Sequence, residues 1–309
     1  MENSTKKQKG LYKGFTANEI RKARIAYICI LPALLFLVLV RAWPIVSVFF
    51  KSFTNWDGLY KNDNVGLKNY IQLFKSGMFK QLFSNNMYLL LSVPLQVIIG
   101  LIVAVLLYEH VPGWQAFRAI FYVPQIISLV ILGYLFKTMF GLEGPINSML
   151  NGIGLGGLAC DWLLNRETAL PVMVFCITWY SIGWQTIVIL GGMASIDTSV
   201  FEAAKLDGAS FWTRTFKIVL PMIVSVITYC IVMAVIWTLT NMFSLIYSMT
   251  GGGPGYETMT LDYFIYDKAF EGGNQLGYAC AVSMILLLVV LIITAIEMKI
   301  SDKAEEKWG

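Results

Sequence analysis

The chain has 309 residues, of which 57% are hydrophobic and only 14% are charged. Soluble domains carry about a quarter charged residues, so the mean hydropathy of +0.66 indicates an integral membrane protein. The formal net charge of +4 is small, and the basic residues gather at the N-terminus and at the ends of apolar runs. This distribution argues against nucleic acid as a partner and indicates a lipid bilayer as the surroundings.

Cysteine and histidine do not form a metal-binding or disulfide pattern in this chain. Four of the five cysteines fall inside apolar runs, and only Cys160 lies in a predicted loop. No pair has the spacing of a zinc site or of a disulfide-bonded scaffold. The one histidine, His110, excludes a metal site built from histidines. We therefore expect no metal and no cofactor on this chain.

The chain begins with a basic segment followed by a long apolar run. Residues 1–24 hold seven Lys and Arg residues and few apolar side chains, which is typical of a cytoplasmic tail. The apolar run 26–50 is longer than the roughly 7–15-residue core of a signal peptide and shows no small-residue cleavage pattern, so we predict a membrane span. Arg41 lies near its far end, where anchoring at the interface is favoured over a role in a transport pathway.

Five further apolar runs are each near or above the roughly 20 residues needed to cross the hydrocarbon of a bilayer. They cover residues 87–108, 117–137, 170–193, 218–240 and 277–298. Six spans place both termini on one side, and the basic residues before the first span predict that this side is the cytoplasm. We therefore predict an all-α, polytopic membrane protein with six transmembrane helices, in a plasma membrane, with both termini cytoplasmic.

Three longer connecting segments, 51–86, 138–169 and 241–274, then face the outside. Their aromatic residues include Trp56, Tyr60, Tyr70, Trp162, Tyr256, Tyr263, Phe264 and Tyr266. Tyr and Trp favour the membrane interface in any membrane protein, so interfacial anchoring explains most of these rings. The alternative is a rim that meets a ligand or a delivering protein.

The later spans contain no ionisable group near their midpoints. The runs from residue 87 onward have no Asp, Glu, Lys, Arg or His near their midpoints, and Glu297 lies at the extreme end of the last run. Ion-coupled carriers usually need an ionisable or ion-coordinating group at bilayer depth, so the pattern disfavours ion coupling. The polar and aromatic groups at that depth are neutral: Tyr180, Ser181, Trp184, Gln185, Trp237, Thr238, Thr240 and Asn241.

Some of these side chains repeat one helical spacing in two spans. The two sets are Tyr180, Ser181 and Trp184 in the fourth run, and Trp237, Thr238 and Asn241 in the fifth. Residues at i and i+4 share a helical face, and neutral polar groups beside aromatic rings suit an uncharged, polyhydroxylated solute. Ordinary helix packing explains any single member. Because the same spacing occurs in both runs, we predict that these two helical faces line a substrate pathway.

Two glycine-rich motifs in the predicted outer segments do not indicate a nucleotide site. Residues 152–157 have the letters of the dinucleotide fingerprint, but they follow no predicted strand. Residues 251–255 lack the Lys-Ser or Lys-Thr that follows in a phosphate-binding loop. The carboxylates Asp262, Asp267 and Glu271 stand near no nucleophile or base. No catalytic residue and no enzymatic activity are predicted.

A polar island, residues 202–221, separates the fourth and fifth runs and lies on the predicted cytoplasmic side. Asp197, Thr198 or Ser199 is placed to cap a helix there, Gly208 to end that helix, and Ser210 to cap the next one.

Small side chains in the island would let another protein approach the backbone. The alanines are Ala203, Ala204 and Ala209, with Glu202, Lys205 and Asp207 as polar rim residues. A generic loop of capped helices between two spans explains the same pattern equally well.

Residue identities in the island resemble the EAA coupling loop of binding-protein-dependent ABC importer permeases. The matching residues are Glu202-Ala203-Ala204, Gly208 after three intervening residues, and Ile218-x-Leu220-Pro221. Three other segments are similar to the sugar-permease branch, in particular to the maltose, lactose and glycerol-3-phosphate type of first permease subunit: Leu31-Pro32, Tyr122-Val-Pro124 and Met249-Thr-Gly-Gly-Gly-Pro254. Asp197 stands where that branch commonly has proline, and a capping Asp preserves the helix start.

The resemblance implies the type I ABC importer permease fold. It implies a permease core over residues 81–298 that contains a coupling loop over 196–217. Residues 25–80 form the preceding span and outer loop, and 1–24 and 299–309 form cytoplasmic tails. The residues that it assigns to ATPase coupling are Glu202, Ala203, Ala204, Asp207, Gly208, Ala209, Ile218, Leu220 and Pro221. The family's solute path runs between the spans that flank the loop, where both predicted faces lie.

The implied function is import of a sugar or sugar-like solute by alternating access in a prokaryotic plasma membrane. The implied partners are a second related permease that completes a heterodimer, two cytoplasmic ABC ATPase subunits that hydrolyse ATP, and an extracytoplasmic solute-binding protein. Two alternatives stay open from the residues alone. One is a stand-alone facilitator or ion-coupled secondary transporter, and the other is a membrane receptor or scaffold.

Overall fold

The computed structural model describes residues 17–109 and 112–308. Within those ranges the regular elements are helices, and the only β-structure is an isolated bridge between Thr54 and Asn64. The all-α prediction is therefore confirmed. Most of the predicted N-terminal tail, residues 1–16, and His110 lie outside the described residues. The chain divides into two compact units, Met1–Phe50 and Lys51–Gly309.

The first unit holds the first predicted span. Helix α1 (Ala17–Leu37) continues through a π-helical turn, Val38–Ala42, into α2 (Trp43–Lys51). The apolar stretch Arg21–Lys51 is long enough to cross a bilayer, and none of the side chains in its most apolar 18 residues is buried. A helix that is apolar on all sides and not buried by protein is typical of a lipid-facing span.

The second unit contains the other candidate spans. Helices α4 (Met78–Leu89) and α5 (Ser92–Tyr108) together form one span, Met78–Tyr108. The other unbroken spans are α9 (Arg166–Ala194) and the N-terminal part of α16 (Leu276–Trp308). The start of α9 is capped by Asn165, whose side chain accepts a hydrogen bond from the Glu167 N–H at 3.0 Å.

Two spans are broken by sharp bends. The pairs are α6 (Trp114–Ile126) with α7 (Leu129–Met139), bent by 97°, and Phe211–Met222 with α13 (Val224–Thr240), bent by 71°. Pro124 and Pro221 lie shortly before the two breaks, and proline removes a backbone donor and crowds the preceding turn. Within the described residues, four helices can cross a membrane, or six when each bent pair is one span.

The predicted outer segments fold into short helices. These are α3 (Lys68–Lys75), α8 (Pro145–Gly152), α14 (Phe243–Met249) and α15 (Leu261–Tyr266), with a 3-10 turn at Gly156–Leu158 and a π-helical turn at Asp267–Glu271. The largest buried apolar cluster joins several of these short helices to α4, α7, α9 and α16; its members include Leu82, Phe136, Met173, Ile177, Leu245, Phe264 and Val282. The short helices are therefore part of the core of the second unit.

Buried polar side chains hold the segment between α14 and α16 in place. The Asn85 amide donates to the carbonyls of Tyr256 at 3.0 Å and Met259 at 2.8 Å. The neighbouring Asn86 accepts from the Leu261 N–H at 2.9 Å. Both asparagines are fully buried. Because buried carbonyl and amide groups need partners, these bonds determine how the segment packs on α4.

Asp262 links α14 to α15 in the same region. Its carboxylate accepts from the Phe243 N–H at 2.7 Å and from the Thr260 hydroxyl. Burial raises the pKa of Asp262, while the bonds from Thr260 and the Phe243 amide act in the opposite direction. The side chain therefore supplies a partner to the first turn of each helix.

Helix α9 is approached closely by two other spans at glycines. A Cβ on Gly100 of α5 would lie 2.6 Å from the Gln185 Cβ, and a Cβ on Gly183 would lie 2.3 Å from the Phe121 carbonyl oxygen in α6. Small residues let helix backbones approach each other within a membrane. Gly100 and Gly183 therefore determine how α5 and α6 pack against α9.

We expect Asn85→Leu to lower the stability of the second unit. The change leaves the Tyr256 and Met259 carbonyls without their donor, at a cost of about 1–3 kcal/mol. The apparent Tm of the purified protein in detergent measures the effect. Asn151→Leu, at an exposed asparagine, is the control and should leave Tm nearly unchanged; equal shifts in both variants would contradict the role of Asn85.

Gly183→Ala should force α6 away from α9. The added Cβ would meet the backbone of Phe121 and Tyr122, which cannot rotate aside as a side chain can, so we expect a loss of about 1–3 kcal/mol. Gly191→Ala in the same helix meets nothing within 4 Å and should be neutral or stabilise by up to about 1 kcal/mol. Thermal unfolding of the two variants side by side tests this difference, and a tolerated Gly183→Ala would show that the contact is not tight.

Candidate functional site

A cavity of about 170 Å³ lies among α5, α6, α9 and α13. Its lining consists of Gln96, Gln125, Tyr180, Ser181, Trp184, Gln185, Met233, Ala234 and Trp237. Four of the six residues predicted for the substrate pathway, Tyr180, Ser181, Trp184 and Trp237, thus lie on one cavity. The local spacing within α9 was sufficient to bring the first three together.

Aromatic rings form one wall of the cavity. The rings of Tyr180 in α9 and Trp237 in α13 stack with centroids 5.5 Å apart and planes at 15°. Trp184 lies one turn from Tyr180 and packs against Tyr229 of α13 at 6.2 Å. The stack therefore joins the two spans that flank the polar island, and it presents flat apolar surface beside polar groups.

Thr238 and Asn241 do not line the cavity. Thr238 is fully buried, and as the next residue after Trp237 it points about 100° away around the helix. Helix α13 ends at Thr240. Asn241 therefore lies just outside the helix and does not share a helical face with Trp237. Asn241 is exposed, and its amide donates to the Thr240 hydroxyl at 2.8 Å.

Two glutamines of the lining, Gln96 and Gln125, were not predicted. Gln96 and Gln185 are each only 1% exposed, and the Gln185 amide donates to the Gln96 oxygen at 3.4 Å. The Nε2 of Gln96 and the Oε1 atoms of Gln185 and Gln125 have no hydrogen-bond partner among the described residues. A glutamine within an otherwise apolar run is the sequence signal that would have identified Gln96.

The cavity is polar but uncharged. None of the described residues that line it is Asp, Glu, Lys, Arg or His. Its polar groups are amides and hydroxyls, which donate and accept hydrogen bonds without an attached charge. Such a lining can bind hydroxyl groups, and it offers no counter-ion to a charged ligand.

The polar island folds into two short helices joined at Gly208. Helix α10 (Thr198–Leu206) ends there because Gly208 has φ +71°, and the Ala209 N–H donates to the Ala204 carbonyl at 3.0 Å. This bond and the left-handed glycine form a Schellman-type helix end. The predicted stop at Gly208 is confirmed.

The predicted helix starts of the island are also confirmed. Asp197 accepts from the Ser199 N–H at 2.9 Å, and this hydrogen bond lowers the pKa of the Asp197 carboxyl. Ser210 caps α11 (Phe211–Arg214) by accepting from the Thr213 N–H at 3.3 Å. The chain then continues through a π-helical turn, Thr215–Val219, and α12 (Leu220–Met222).

The residues assigned to coupling differ in exposure. Glu202, Ala203, Asp207 and Gly208 are exposed, whereas Ala209, Ile218, Leu220 and Pro221 are half-buried. Ala204 is only 6% exposed, so it packs against its own chain. The assignment of Ala204 to ATPase coupling stays a prediction.

An ion pair attaches the polar island to the end of α5. The Arg214 guanidinium lies 2.9 Å from the Glu109 carboxylate, and it also donates to the Ala209 carbonyl at 3.5 Å. Glu109 directly follows the last residue of α5, where the helix dipole disfavours a negative charge. Arg214 compensates that charge and connects both halves of the island to the second predicted span.

Comparison with known proteins identifies the family. Residues 70–302 match the family described as the binding-protein-dependent transport system inner membrane component. The chain belongs to this family. The probable ABC transporter permease protein YurN of Bacillus subtilis is 33% identical to this permease over 92% of this chain and 98% of its own length. The multiple sugar-binding transport system permease protein MsmF of Streptococcus mutans is 32% identical over 85% of this chain and 90% of its own.

A solved structure shares the fold of this permease. It is a bacterial alginate ABC transporter in complex with an alginate pentasaccharide-bound periplasmic protein. One of its chains matches at a TM-score of 0.80 and 25% identity, over 93% of this chain and 97% of that chain. The type I importer permease fold that the island motif implied is therefore confirmed, and the permease is a multi-pass membrane protein.

Removal of the Arg214–Glu109 ion pair should loosen the polar island. We expect Glu109→Gln and Arg214→Gln each to speed amide hydrogen exchange in α10 and α11, because the island loses a bond to α5. The double variant should show no further increase, since both single changes remove the same interaction.

Asp267→Asn is the matched control, because it removes the 2.8 Å ion pair of Lys268 and Asp267 in another segment. Exchange in the island should be unaffected by that change. Additive effects of Glu109→Gln and Arg214→Gln would contradict a shared interaction.

Proposed function

We propose that this permease is the membrane-spanning subunit of an ATP-driven importer that carries a sugar or sugar-like solute into the cell. The observation that carries the proposal is the uncharged cavity among α5, α6 and the two spans that flank the polar island, where stacked Tyr180 and Trp237 share the lining with amide and hydroxyl groups. Aromatic faces and neutral hydrogen-bonding groups suit the ring faces and hydroxyls of a sugar. MsmF, which is named for multiple sugar-binding transport, and the alginate transporter support the same cargo class.

The cavity of this chain is one part of the transport path. Its volume of about 170 Å³ is below the roughly 300–1,000 Å³ of pockets that enclose drug-sized ligands. A second, related permease would complete the path as the other half of a heterodimer. The periplasmic protein bound to the alginate transporter supports an extracytoplasmic solute-binding protein as a further partner.

The polar island would couple transport to ATP hydrolysis on two cytoplasmic ATPase subunits. Its exposed residues Glu202, Ala203, Asp207 and Gly208 would contact an ATPase, and buried Ala204 would support α10 from within the permease. The bond of Arg214 to Glu109 would hold this surface against α5. In this arrangement both termini would be cytoplasmic in a prokaryotic plasma membrane, and we expect no catalytic residue, metal or cofactor on the permease itself.

Transport by reconstituted vesicles tests the proposal against a stand-alone carrier. Vesicles that contain both permeases and the ATPases should accumulate a labelled sugar only when ATP is present on the ATPase side and the binding protein on the other. Vesicles with this permease alone should accumulate none. ATP-independent uptake by this permease alone would overturn the proposal in favour of a facilitator, or of an ion-coupled carrier if uptake follows an imposed ion gradient.

Ala203→Trp should uncouple the importer. Ala203 is exposed in α10, so the larger ring fits the folded permease but obstructs a docked ATPase. A loss of about 1.4 kcal/mol in binding corresponds to a tenfold weaker complex, and we expect at least that reduction in co-purified ATPase and in uptake. Membrane insertion should be unchanged.

Gly157→Trp is the control for Ala203→Trp. Gly157 is exposed, has nothing within 4 Å of an added Cβ, and lies in a predicted outer segment. Uptake and ATPase co-purification should remain normal in this variant. Normal ATPase binding by Ala203→Trp would show that α10 does not form the docking surface.

A further inference from the structure

We propose that Gln96, Gln125 and Gln185 are the specificity-determining residues of the cavity, and that they select an uncharged, hydroxyl-rich ligand over an acidic one. The inference rests on the transport function proposed above. The structural basis is a set of three amides, from three different spans, whose hydrogen-bonding groups meet at one cavity.

Burial makes the unpaired amide groups energetically costly. Gln96 and Gln185 are each only 1% exposed. Their single mutual bond at 3.4 Å leaves one amide nitrogen and one oxygen without a partner among the described residues. The Gln125 oxygen is likewise buried without a partner in the part of the chain that the structure describes. Buried polar side chains almost always have partners, so three such groups at one cavity indicate that a ligand supplies the missing bonds.

The Gln96–Gln185 pair always presents both kinds of hydrogen-bonding group. Turning both amides about their terminal bonds exchanges the roles of the two residues, but one N–H₂ donor and one carbonyl acceptor still face the cavity. A hydroxyl both donates and accepts, so two neighbouring hydroxyls satisfy the pair. A carboxylate only accepts, and it would place its charge beside the unpaired oxygens of the glutamines.

The cavity also lacks a group that would neutralise an acidic ligand. None of its described lining residues is Lys, Arg or His, and a buried carboxylate without a partner is strongly disfavoured. The solved relative is involved in the import of the acidic polysaccharide alginate. In this permease the stacked rings of Tyr180 and Trp237 and the three amides suit a neutral sugar instead.

The packing of α5 on α9 holds the pair in position. Gly100 lies one turn after Gln96, and its close approach to the Gln185 Cβ brings the two amides together. The Thr186 hydroxyl donates to the Gly100 carbonyl at 3.4 Å and fixes the same crossing. The two glutamines are therefore preorganised by the backbone, which reduces the ordering cost of binding.

The test measures sugar binding to the assembled importer without ATP and without the binding protein, so that the selectivity of the binding protein does not enter. The probes are two trisaccharides of similar size, neutral maltotriose and acidic trigalacturonate. Saturation-transfer NMR measures the binding of each at millimolar concentration. We expect maltotriose to bind. Trigalacturonate should bind at least about tenfold more weakly, because its carboxylates would be buried without a partner of opposite charge.

Variants of the glutamines test their role directly. Gln96→Met and Gln185→Met keep the side-chain volume but remove the amide, and each should weaken maltotriose binding about 10- to 100-fold, because a site built to bind hydroxyls loses a partner. Without sugar, each single change should lower the apparent Tm, because the other buried glutamine loses its one partner. The double change Gln96→Met/Gln185→Met removes both incompletely paired amides, so its Tm should be higher than that of either single variant. Gln115→Met, at an exposed glutamine, should change neither quantity.

Three outcomes would overturn the inference. Equal or tighter binding of trigalacturonate would exclude selection of uncharged ligands. If the vesicle assay still showed ATP-dependent uptake of a sugar, the proposed function would stand without this inference. A lower Tm in the Gln→Met variants with unchanged sugar binding would show that the amides only join helices. Binding of neither trisaccharide, with no ATP-dependent uptake of any sugar in vesicles, would reject the inference together with the proposed function.

Discussion

Close contact of α5 and α6 with α9 is the constraint on which the rest of the second unit depends. In hydrocarbon the backbone must satisfy its own hydrogen bonds, so spans are helices, and tight association between them needs small residues where backbones meet. Gly100 and Gly183 provide those two contacts. Tyr180 and Gln185 stand on α9 next to them, so the crossings that allow packing also determine where the cavity forms.

Helix α5 connects the two regions that transport would require. It carries Gln96 at the cavity and is followed by Glu109, which binds Arg214 of the polar island. Helix α9 precedes the island and α13 follows it, and these two helices carry the stacked rings of Tyr180 and Trp237. Under the proposed function, a displacement of the island by an ATPase would therefore reach the cavity through three spans at once.

Buried amides have two different roles in this molecule. Asn85 and Asn86 are fully buried and bond to backbone groups of the segment between α14 and α16, so they stabilise the fold. Gln96 and Gln185 are buried to almost the same degree, but part of their hydrogen-bonding capacity is unused and faces a cavity. The Nδ2 of Asn86 is also buried without a partner among the described residues, so unused capacity alone does not mark a binding residue. The glutamines differ because three incompletely paired amides from three spans meet at one cavity.

The sequence by itself determined the features that depend on neighbours along the chain. Apolar run lengths predicted the spans, local capping predicted the helix ends at Asp197, Gly208 and Ser210, and the i, i+4 spacing placed Tyr180 and Trp184 on one face. Only the tertiary structure decided that two spans bend, that Ala204 is buried, that α13 ends before Asn241, and that Gln96 and Gln125 join the cavity. The two bends follow Pro124 and Pro221, whose effect on a helix is local but does not set the bend angle. The burial of Ala204 and the meeting of Gln96 with Gln185 depend on contacts between segments far apart in the chain, which one-dimensional spacing does not encode.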